Sequence, residues 1–217
     1  MYHTIVIGGG CLGAAAAISL QRKLNKLGKG DKVCLVEKAV LCAAESSRHS
    51  GIVRSANADP DASIMASMSS KMWKKLSSVW GLDMEIDEFG AIWIAKKNTD
   101  GENPAWSDLS ERMSKIQLVF EEIDTNSATQ KCGETLLTDE NESYFYEPAA
   151  FQLDPSILRS TLYDAIDENG VVLMEKTEVD TILTKGKEII DCYAKVKLTQ
   201  SKVLGLLALK ENDQYTY

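Results

Sequence analysis

A strand, a glycine-rich turn and a helix follow one another at the start of the chain, and they constrain the fold most. Residues 4–7 are a short β-branched run that predicts a buried strand. Residues 11–27 predict a helix, because four consecutive alanines are followed by isoleucine and leucine at helical intervals. Residues 32–37 predict a second apolar strand ending in an acid. This order implies a parallel βαβ crossover, which is typical of α/β proteins.

The turn between the first strand and the helix has the spacing G-x-G-x-x-G over residues 8–13. In a dinucleotide-binding turn, Gly8 makes the tight turn, Gly10 lets a pyrophosphate approach the backbone, and Gly13 lets helix and strand pack closely. The N–H groups and the dipole of the helix start favour a diphosphate. Glu37 follows Gly13 by 24 residues, which is near the spacing expected of an acid that accepts hydrogen bonds from a ribose hydroxyl. Its negative charge would repel a 2′-phosphate, so NADP is disfavoured. The alternative is a glycine-rich turn without a ligand, in which Glu37 is an ordinary solvated acid.

The composition excludes several other kinds of site. The formal net charge is −8 and no long basic run occurs, which argues against a nucleic-acid partner. Five cysteines are scattered and never spaced as C-x-x-C, which predicts a reduced protein without disulfides or a zinc site. With only two histidines, a histidine-rich metal centre is not expected either.

The apolar start of the chain imitates a signal peptide, but it has no positively charged region and it is interrupted by glycines. No run of eighteen apolar residues occurs, so no transmembrane helix is expected. The sequence therefore predicts a soluble protein of the cytoplasm, with the mitochondrion as the other compartment considered.

The rest of the chain predicts a mixture of helices, strands and loops. Residues 43–61 predict a long loop, and residues 62–80 a helix whose Met65, Met68 and Met72 pack in the core. Residues 84–87 and 91–95 predict a hairpin around a glycine, and residues 138–151 are expected to be irregular. The remaining predictions are helices over 106–119, 126–132 (capped by Asn126) and 155–169, with strands over 120–124, 171–174 and 178–183.

Three stretches together resemble the FAD-dependent oxidoreductases of the D-amino-acid oxidase superfamily, whose members include sarcosine, glycine and dimethylglycine oxidases. They are VIGGGCLGAAAA with LVEK, then SSRHSGIVR over residues 46–54, then LDPSIL with NGV and TEV over residues 153–179. The glycine motif alone also suits NAD, and the other two stretches favour FAD. The resemblance implies a Rossmann-like FAD-binding sheet of the glutathione-reductase type, with an inserted and incomplete α+β substrate domain.

The resemblance also implies the residues that bind the cofactor. The serine- and glycine-rich loop runs beside the flavin in these enzymes, and a valine in a later strand touches the adenine. The cofactor-binding residues predicted in this way, with those of the glycine motif, are Gly8, Gly10, Cys11, Leu12, Gly13, Glu37, Lys38, Ser46, Ser47, Arg48, His49, Ser50, Gly51 and Val179. A covalent flavin link to the histidine is a weaker alternative than a packed or solvated ring. No catalytic residue is assigned.

The implied activity is the oxidation of a small amino acid, N-methyl amine or 2-hydroxy acid by hydride transfer to flavin. The family's enzymes are considerably longer, and the residues after 190 match none of their later motifs. A catalytically inactive fragment or partner subunit that binds nucleotide, and an NAD-dependent dehydrogenase, are therefore alternatives. Self-association or a partner subunit is expected because an incomplete parallel sheet exposes apolar faces.

The domain organisation that follows from these motifs has four segments. Residues 1–80 are predicted as the FAD-binding βαβ unit with the flavin loop and helix, and residues 81–152 as part of a substrate domain. Residues 153–190 are predicted to return to the FAD domain. Residues 191–217 form an atypical tail, in which the apolar run 203–209 predicts either a strand or a helix.

Overall fold

The computed structural model describes residues 2–57, 59–80, 84–98, 100, 104–133, 136–185, 188–196 and 206–210. In chain order the elements are β1 (Thr4–Ile7), α1 (Cys11–Lys26), β2 (Val33–Val36), a 3-10 turn (Glu45–Ser47), β3 (Ile52–Val53), α2 (Pro60–Trp80), β4 (Ala91–Lys96), α3 (Pro104–Lys115), β5 (Glu121–Ile123), α4 (Thr125–Cys132), β6 (Glu142–Glu147), β7 (Phe151–Gln152), α5 (Pro155–Asn169), β8 (Val172–Met174), β9 (Thr177–Lys185), β10 (Glu188–Val196) and β11 (Leu206–Lys210). Two compact units result. Unit 1 is Met1–His49 with Pro155–Tyr217, and unit 2 is Ser50–Asp154.

Unit 1 contains a parallel sheet in the order β1-β2-β8. The sheet pairs Val6 with Leu35 and Leu35 with Leu173, so the predicted parallel βαβ crossover is confirmed. All four residues of β2 are buried, which matches the uninterrupted apolar run expected of a central parallel strand. Helices α1 and α5 contact each other, and α1 buries Ala14, Ala17 and Ile18 completely.

A second sheet of unit 1 is antiparallel, with the order β11-β10-β9. Thr181 of β9 pairs with Tyr193 of β10, and Tyr193 pairs with Ala208 of β11. The apolar run of the tail was predicted to be either a strand or a helix, and residues 206–210 form a strand. Residues 197–205 and 211–217 of the predicted tail lie outside the described residues.

Unit 2 is built on an antiparallel sheet with the order β4-β6-β5. An aromatic cluster lies at its core. The Phe120 and Phe145 rings stack with centroids 5.4 Å apart, and Trp93 meets Trp106 edge to face at 5.6 Å. A separate two-stranded ribbon pairs β3 with β7, joining Ile52 to Gln152 and Val53 to Phe151.

The predicted hairpin of residues 84–87 with 91–95 is wrong. Residues 91–96 do form a strand, but its partner is β6, in a segment predicted to be irregular. Pairing with β6 buries Tyr144 and Phe145, which are each 1% exposed, and that gain of apolar burial exceeds what a local turn around Gly90 offers. The segment 84–87 makes only a bridge from Asp87 to Gln152.

Two further predictions are corrected by unit 2. Helix α4 begins one residue earlier than predicted, and its N-cap is Asp124, not Asn126, because the Asp124 carboxylate accepts a 2.9 Å hydrogen bond from the Ser127 amide. The methionine stripe of α2 does not pack in the core. Met65, Met68 and Met72 are 71%, 63% and 60% exposed, and the buried side of α2 contains serines instead.

Candidate functional site: a dinucleotide-binding turn

The glycine turn is closed by a backbone contact that no side chain would permit. Gly8 has φ of +103° and donates a 2.8 Å hydrogen bond to the Val36 carbonyl, which ties the turn to β2. A β-carbon on Gly13 would lie 1.9 Å from the carbonyl oxygen of Gly8. The first and last glycines of the motif therefore allow α1 to start directly against the end of β1.

Glu37 lies directly against the turn from the end of β2. Its Oε2 accepts a 2.6 Å hydrogen bond from the Gly9 amide, and its Oε1 accepts a 2.8 Å hydrogen bond from the Ala39 amide. A β-carbon on Gly9 would come within 2.8 Å of the Glu37 β-carbon. Each carboxylate oxygen can accept more than one hydrogen bond, so the Glu37 carboxylate keeps acceptor capacity for a ribose hydroxyl.

Ser46 reaches the same turn from the 3-10 turn that follows β2. Its Oγ accepts a 3.1 Å hydrogen bond from the Cys11 amide, the first amide of α1. A β-carbon on Gly10 would lie 3.2 Å from that Oγ. Within the described part of the chain, the amides of Gly10, Leu12 and Gly13 have no hydrogen-bond partner. The helix start therefore presents unpaired N–H groups beside a hydroxyl, which suits a phosphate oxygen.

The sequence-predicted residues of unit 1 thus fall into two groups. The glycine motif, Glu37 and Ser46 are brought together by the contacts just described. Lys38, Arg48 and His49 are exposed, and a His49 ring nitrogen lies 3.1 Å from the Ser46 carbonyl oxygen. The Ser47 hydroxyl donates to the Ala44 carbonyl, and Val179 lies half-buried in β9.

Ser50 and Gly51 belong to unit 2, where they contact Gln152 of β7 and the following Leu153. The Ser50 carbonyl accepts a 3.2 Å hydrogen bond from the Gln152 side chain, and the Gly51 carbonyl accepts a 2.9 Å hydrogen bond from the Leu153 amide. A β-carbon on Gly51, whose φ is +78°, would lie 2.0 Å from the Leu153 oxygen. The glycine is therefore required by the β3–β7 ribbon, whatever role the loop has toward a cofactor.

A hydrogen-bonded cluster beside the candidate site was missed at the sequence level. The Glu175 carboxylate, just after β8, accepts a 2.6 Å hydrogen bond from the Leu41 amide and another from the Tyr163 hydroxyl. Burial, followed by this bond to Glu175, raises the pKa of the Tyr163 phenol, so the group stays protonated and donates. The Nε of Arg159, next to Tyr163, is buried without a hydrogen-bond partner among the described residues. An acid at the end of an apolar strand, the signal that identified Glu37, would have identified Glu175 after β8.

Cys42 joins this cluster to the glycine turn. It has a left-handed backbone with φ of +56°, and its amide donates a 2.8 Å hydrogen bond to the Gly9 carbonyl. Burial, with a smaller effect of the neighbouring Cys11 thiol, raises the pKa of the Cys42 thiol to about 11. The chain after β2 is therefore fastened at Leu41 and Cys42, which holds it beside the turn.

In unit 2, a second missed residue fixes the segment that follows the serine-rich loop. Glu147 is 1% exposed, and its Oε1 accepts hydrogen bonds from the amides of Ser55 (2.5 Å) and Ala56 (3.2 Å). Its Oε2 accepts a 3.1 Å hydrogen bond from the Trp93 indole. The guanidinium carbon of Arg54 lies 4.4 Å from the centre of the same indole ring. The buried Glu147 carboxylate thus accepts three hydrogen bonds, two from the backbone of Ser55 and Ala56 and one from the Trp93 indole.

The residues present fit the diphosphate and ribose of a dinucleotide. Only glycines fit at positions 9 and 13, the amides at the start of α1 are unpaired in the described chain, and a carboxylate ends the adjacent strand. No group of three or more metal-ligating side chains occurs among the described residues. Nor does any helix in the described ranges have the length and hydropathy needed to cross a membrane.

A parallel βαβ unit with this turn defines a dinucleotide-binding α/β protein. The family model for FAD dependent oxidoreductases matches residues 3–202. The chain therefore belongs to that family of flavoenzymes, as the three sequence stretches indicated, and FAD is the family's cofactor. A comparison with curated protein sequences found no match.

Solved structures of three enzymes named for amino acids share the fold. L-proline dehydrogenase from P. horikoshii superposes with a TM-score of 0.74 at 22% identity, covering 89% of this chain and 49% of its own. L-amino acid deaminase from Proteus vulgaris gives 0.74 at 19% identity, with coverages of 89% and 44%. Glycine oxidase from Bacillus cereus gives 0.71 at 22% identity, with coverages of 89% and 51%. The predicted FAD-binding fold is confirmed, and the chain spans about half the length of these structures.

Proposed function

We propose that this chain binds FAD and forms the cofactor-binding part of an oxidoreductase that acts on a small amino acid, N-methyl amine or 2-hydroxy acid. The observation that carries the proposal is the glycine turn with the Glu37 carboxylate 2.6 Å from the Gly9 amide. Membership of a family defined by its dependence on FAD supports this cofactor over NAD. The amino-acid enzymes among the structures of like fold support the substrate class only by analogy.

Each residue of the turn has its own proposed task. The unpaired amides of Gly10, Leu12 and Gly13 would hold the diphosphate at the positive end of α1. Glu37 would accept from the ribose hydroxyls, and the Ser46 hydroxyl, which accepts from Cys11, would donate its proton to a phosphate oxygen. When bound, FAD supplies the acceptor for the hydride that leaves the substrate carbon.

The remaining predicted residues extend the proposal along the chain. The loop from Ser46 to Gly51 would run beside the flavin, Lys38 would follow the ribose-binding acid, and Val179 would contact the adenine. The proposed domain roles are unchanged: residues 1–80 and 153–190 serve the cofactor, residues 81–152 are part of a substrate domain, and residues 191–217 are atypical. Covalent attachment to His49 is disfavoured, and the acid step of the experiment below tests it.

The first experiment is the visible absorption spectrum of the purified chain, before and after acid precipitation. Flavin bands near equimolar with protein, released into the supernatant by acid, are the expected result. Colour that stays in the pellet would indicate a covalent link. A chain that is folded by circular dichroism, colourless as purified and unable to take up added FAD would contradict the proposal.

A second experiment tests the activity separately from binding. The FAD-loaded chain is mixed without oxygen with glycine, proline, sarcosine or a 2-hydroxy acid, and bleaching of the flavin band is followed. Bleaching by one of them supports the oxidoreductase proposal and identifies the substrate. A chain that binds FAD but is bleached by none would favour the second candidate, an inactive nucleotide-binding fragment or subunit. The half-length coverage of the matched structures is the observation that favours this candidate.

A further inference from the structure

The segment 37–42, which follows β2, holds the Gly9 peptide of the glycine turn from both sides. At one end of the segment, the Glu37 carboxylate accepts a 2.6 Å hydrogen bond from the Gly9 amide. At the other end, the Cys42 amide donates a 2.8 Å hydrogen bond to the Gly9 carbonyl. The place of the Glu37 carboxylate at the turn therefore depends on how this segment is fixed to the rest of unit 1.

Backbone contacts to the chain between β8 and β9 fix the first half of the segment. The Glu37 amide donates a 2.8 Å hydrogen bond to the Met174 carbonyl, and the Glu37 carbonyl accepts a 2.9 Å hydrogen bond from the Thr177 amide. The Ala39 carbonyl accepts a 2.7 Å hydrogen bond from the Lys176 amide. These three contacts join main-chain atoms only, so they do not depend on particular side chains.

A side chain fixes the second half of the segment. The Leu41 amide donates a 2.6 Å hydrogen bond to Oε1 of Glu175, and the Tyr163 hydroxyl of α5 donates to the same oxygen. Leu41 is completely buried, so its amide would be left without an acceptor, at a cost in free energy, if the carboxylate moved away. The Tyr163 bond orients the carboxylate, and the carboxylate in turn holds the residue next to Cys42.

We propose that Glu175 and Tyr163 are positioning residues for the ribose site of the dinucleotide. They hold the segment 37–42 where the Glu37 carboxylate meets the glycine turn, and the carboxylate is thereby oriented in advance for a ribose 2′-hydroxyl. Neither of the two side chains is proposed to touch FAD. The role in binding rests on the proposed function, whereas the positioning of Glu37 is a property of the ligand-free chain and can be measured there.

Amide hydrogen exchange of the ligand-free chain, followed by NMR, tests the positioning. Glu175→Ala removes the acceptor, and the Gly9 and Leu41 amides are both expected to exchange at least about tenfold faster. The Leu35 amide in the middle of β2 should keep its protection, which separates a local effect from a loss of overall stability.

Glu175→Gln is the conservative variant for the same measurement. It keeps one carbonyl oxygen, and because both donors converge on a single oxygen of Glu175, it is expected to exchange nearly as slowly as the unmodified chain. Unchanged exchange at Gly9 in Glu175→Ala would overturn the proposal. So would exchange in Glu175→Gln that is as fast as in Glu175→Ala.

Ligand affinities test whether the positioning serves the ribose. ADP and 2′-deoxy-ADP differ only in the ribose 2′-hydroxyl, and each is titrated by calorimetry into the full chain freed of flavin. Tyr163→Phe is expected to weaken ADP binding about fivefold and to leave 2′-deoxy-ADP binding unchanged, because only ADP uses the oriented carboxylate. A purely structural role of Tyr163 would weaken the binding of both ligands by the same factor.

Tyr144→Phe is the matched control, because the Tyr144 hydroxyl also donates to a glutamate, Glu142, at 3.0 Å, but in unit 2. It should leave both affinities unchanged. Equal weakening of the two ligands by Tyr163→Phe would overturn the ribose role. A chain that binds neither FAD nor ADP would contradict the proposed function and the ribose role together, whereas hydrogen exchange at Gly9 would still decide the positioning of Glu37.

Discussion

The α-carbon of Gly13 lies so close to the Gly8 carbonyl that a β-carbon on Gly13 would fall 1.9 Å from the Gly8 oxygen. This contact fixes where α1 starts relative to β1, and it leaves no room for any side chain. The requirement is part of the fold itself, because it exists before any ligand binds.

Gly13→Ala is therefore expected to lower the free energy of unfolding by about 1–3 kcal/mol, the cost of forcing extra atoms into a packed site. Urea unfolding measures the effect. Gly30→Ala is the matched control, since a β-carbon there meets no atom within 4 Å. Equal unfolding midpoints for the two variants would show that the turn relaxes and that the close approach is not required.

Glu37→Gln is expected to weaken FAD binding about tenfold while the chain stays folded. The neutral amide has one acceptor oxygen where the carboxylate has two, and both carboxylate oxygens already accept backbone N–H groups. Flavin fluorescence titration measures the affinity. Glu45→Gln, an exposed acid in the nearby 3-10 turn, is the control and should bind FAD as the unmodified chain does. Equal affinities for both variants would remove Glu37 from the binding site.

Glu147→Gln is expected to destabilise unit 2 by about 3 kcal/mol. The substituted amide cannot accept hydrogen bonds at both of its ends, so the Ser55 and Ala56 amides or the Trp93 indole lose their acceptor in a buried place. Urea unfolding followed by tryptophan fluorescence measures the loss. Glu122→Gln on the exposed side of β5 is the control. A variant as stable as the control would mean that water replaces the lost acceptor.

Alkylation at pH 8 is expected to modify Cys132 quickly and Cys42 slowly in the folded chain. Cys132 is exposed, whereas Cys42 is 1% exposed and the pKa of its thiol is raised to about 11. Peptide mass mapping measures both rates. Equal rates would contradict the burial of Cys42.

The same thiol gives a pH dependence of stability. In the unfolded chain Cys42 ionises near pH 8.5, so its contribution to stability is fully present below that pH. It is lost as the pH rises toward the folded pKa of about 11. The free energy of unfolding of the unmodified chain should thus fall more steeply between pH 8.5 and 11 than that of Cys42→Ala.

Local sequence predicted the parallel βαβ part of unit 1 and helix α5 well, but it did not predict β10 of the antiparallel sheet. Strand β1 was predicted at Thr4–Ile7, where it lies, and the predicted bounds of α1 and α5 differ from the observed ones by at most one residue. A buried parallel strand and a glycine turn each have a signature within a few residues, so no distant contact is needed to find them. The same reasoning placed Glu37 beside the turn, where it now accepts from Gly9.

Unit 2 was predicted less well because its pairings are between distant residues. Trp93 of β4 pairs with Phe145 of β6, and no local sequence pattern near either residue predicts this pairing. The methionines of α2 have the spacing of a core stripe, and periodicity alone does not tell which face of a helix its neighbours cover. The role of Glu147 depends on the amides of Ser55 and Ala56, which are far away in sequence, and a single sequence does not reveal such a contact.

The β3–β7 ribbon brings together the two places where the chain enters and leaves unit 2. In unit 1, β2 pairs with β8 across a long separation, because Val36 meets Met174. Pairing β2 with β8 closes a loop of the chain between Val36 and Met174, and the entropic cost of closing a loop grows with its length. If unit 2 folds first and the ribbon joins the two ends of unit 2, only the residues of this loop that lie outside unit 2 still have to be ordered. This lowers the entropic cost by roughly 1 kcal/mol. Early folding of unit 2 would therefore make the parallel sheet of unit 1 easier to close.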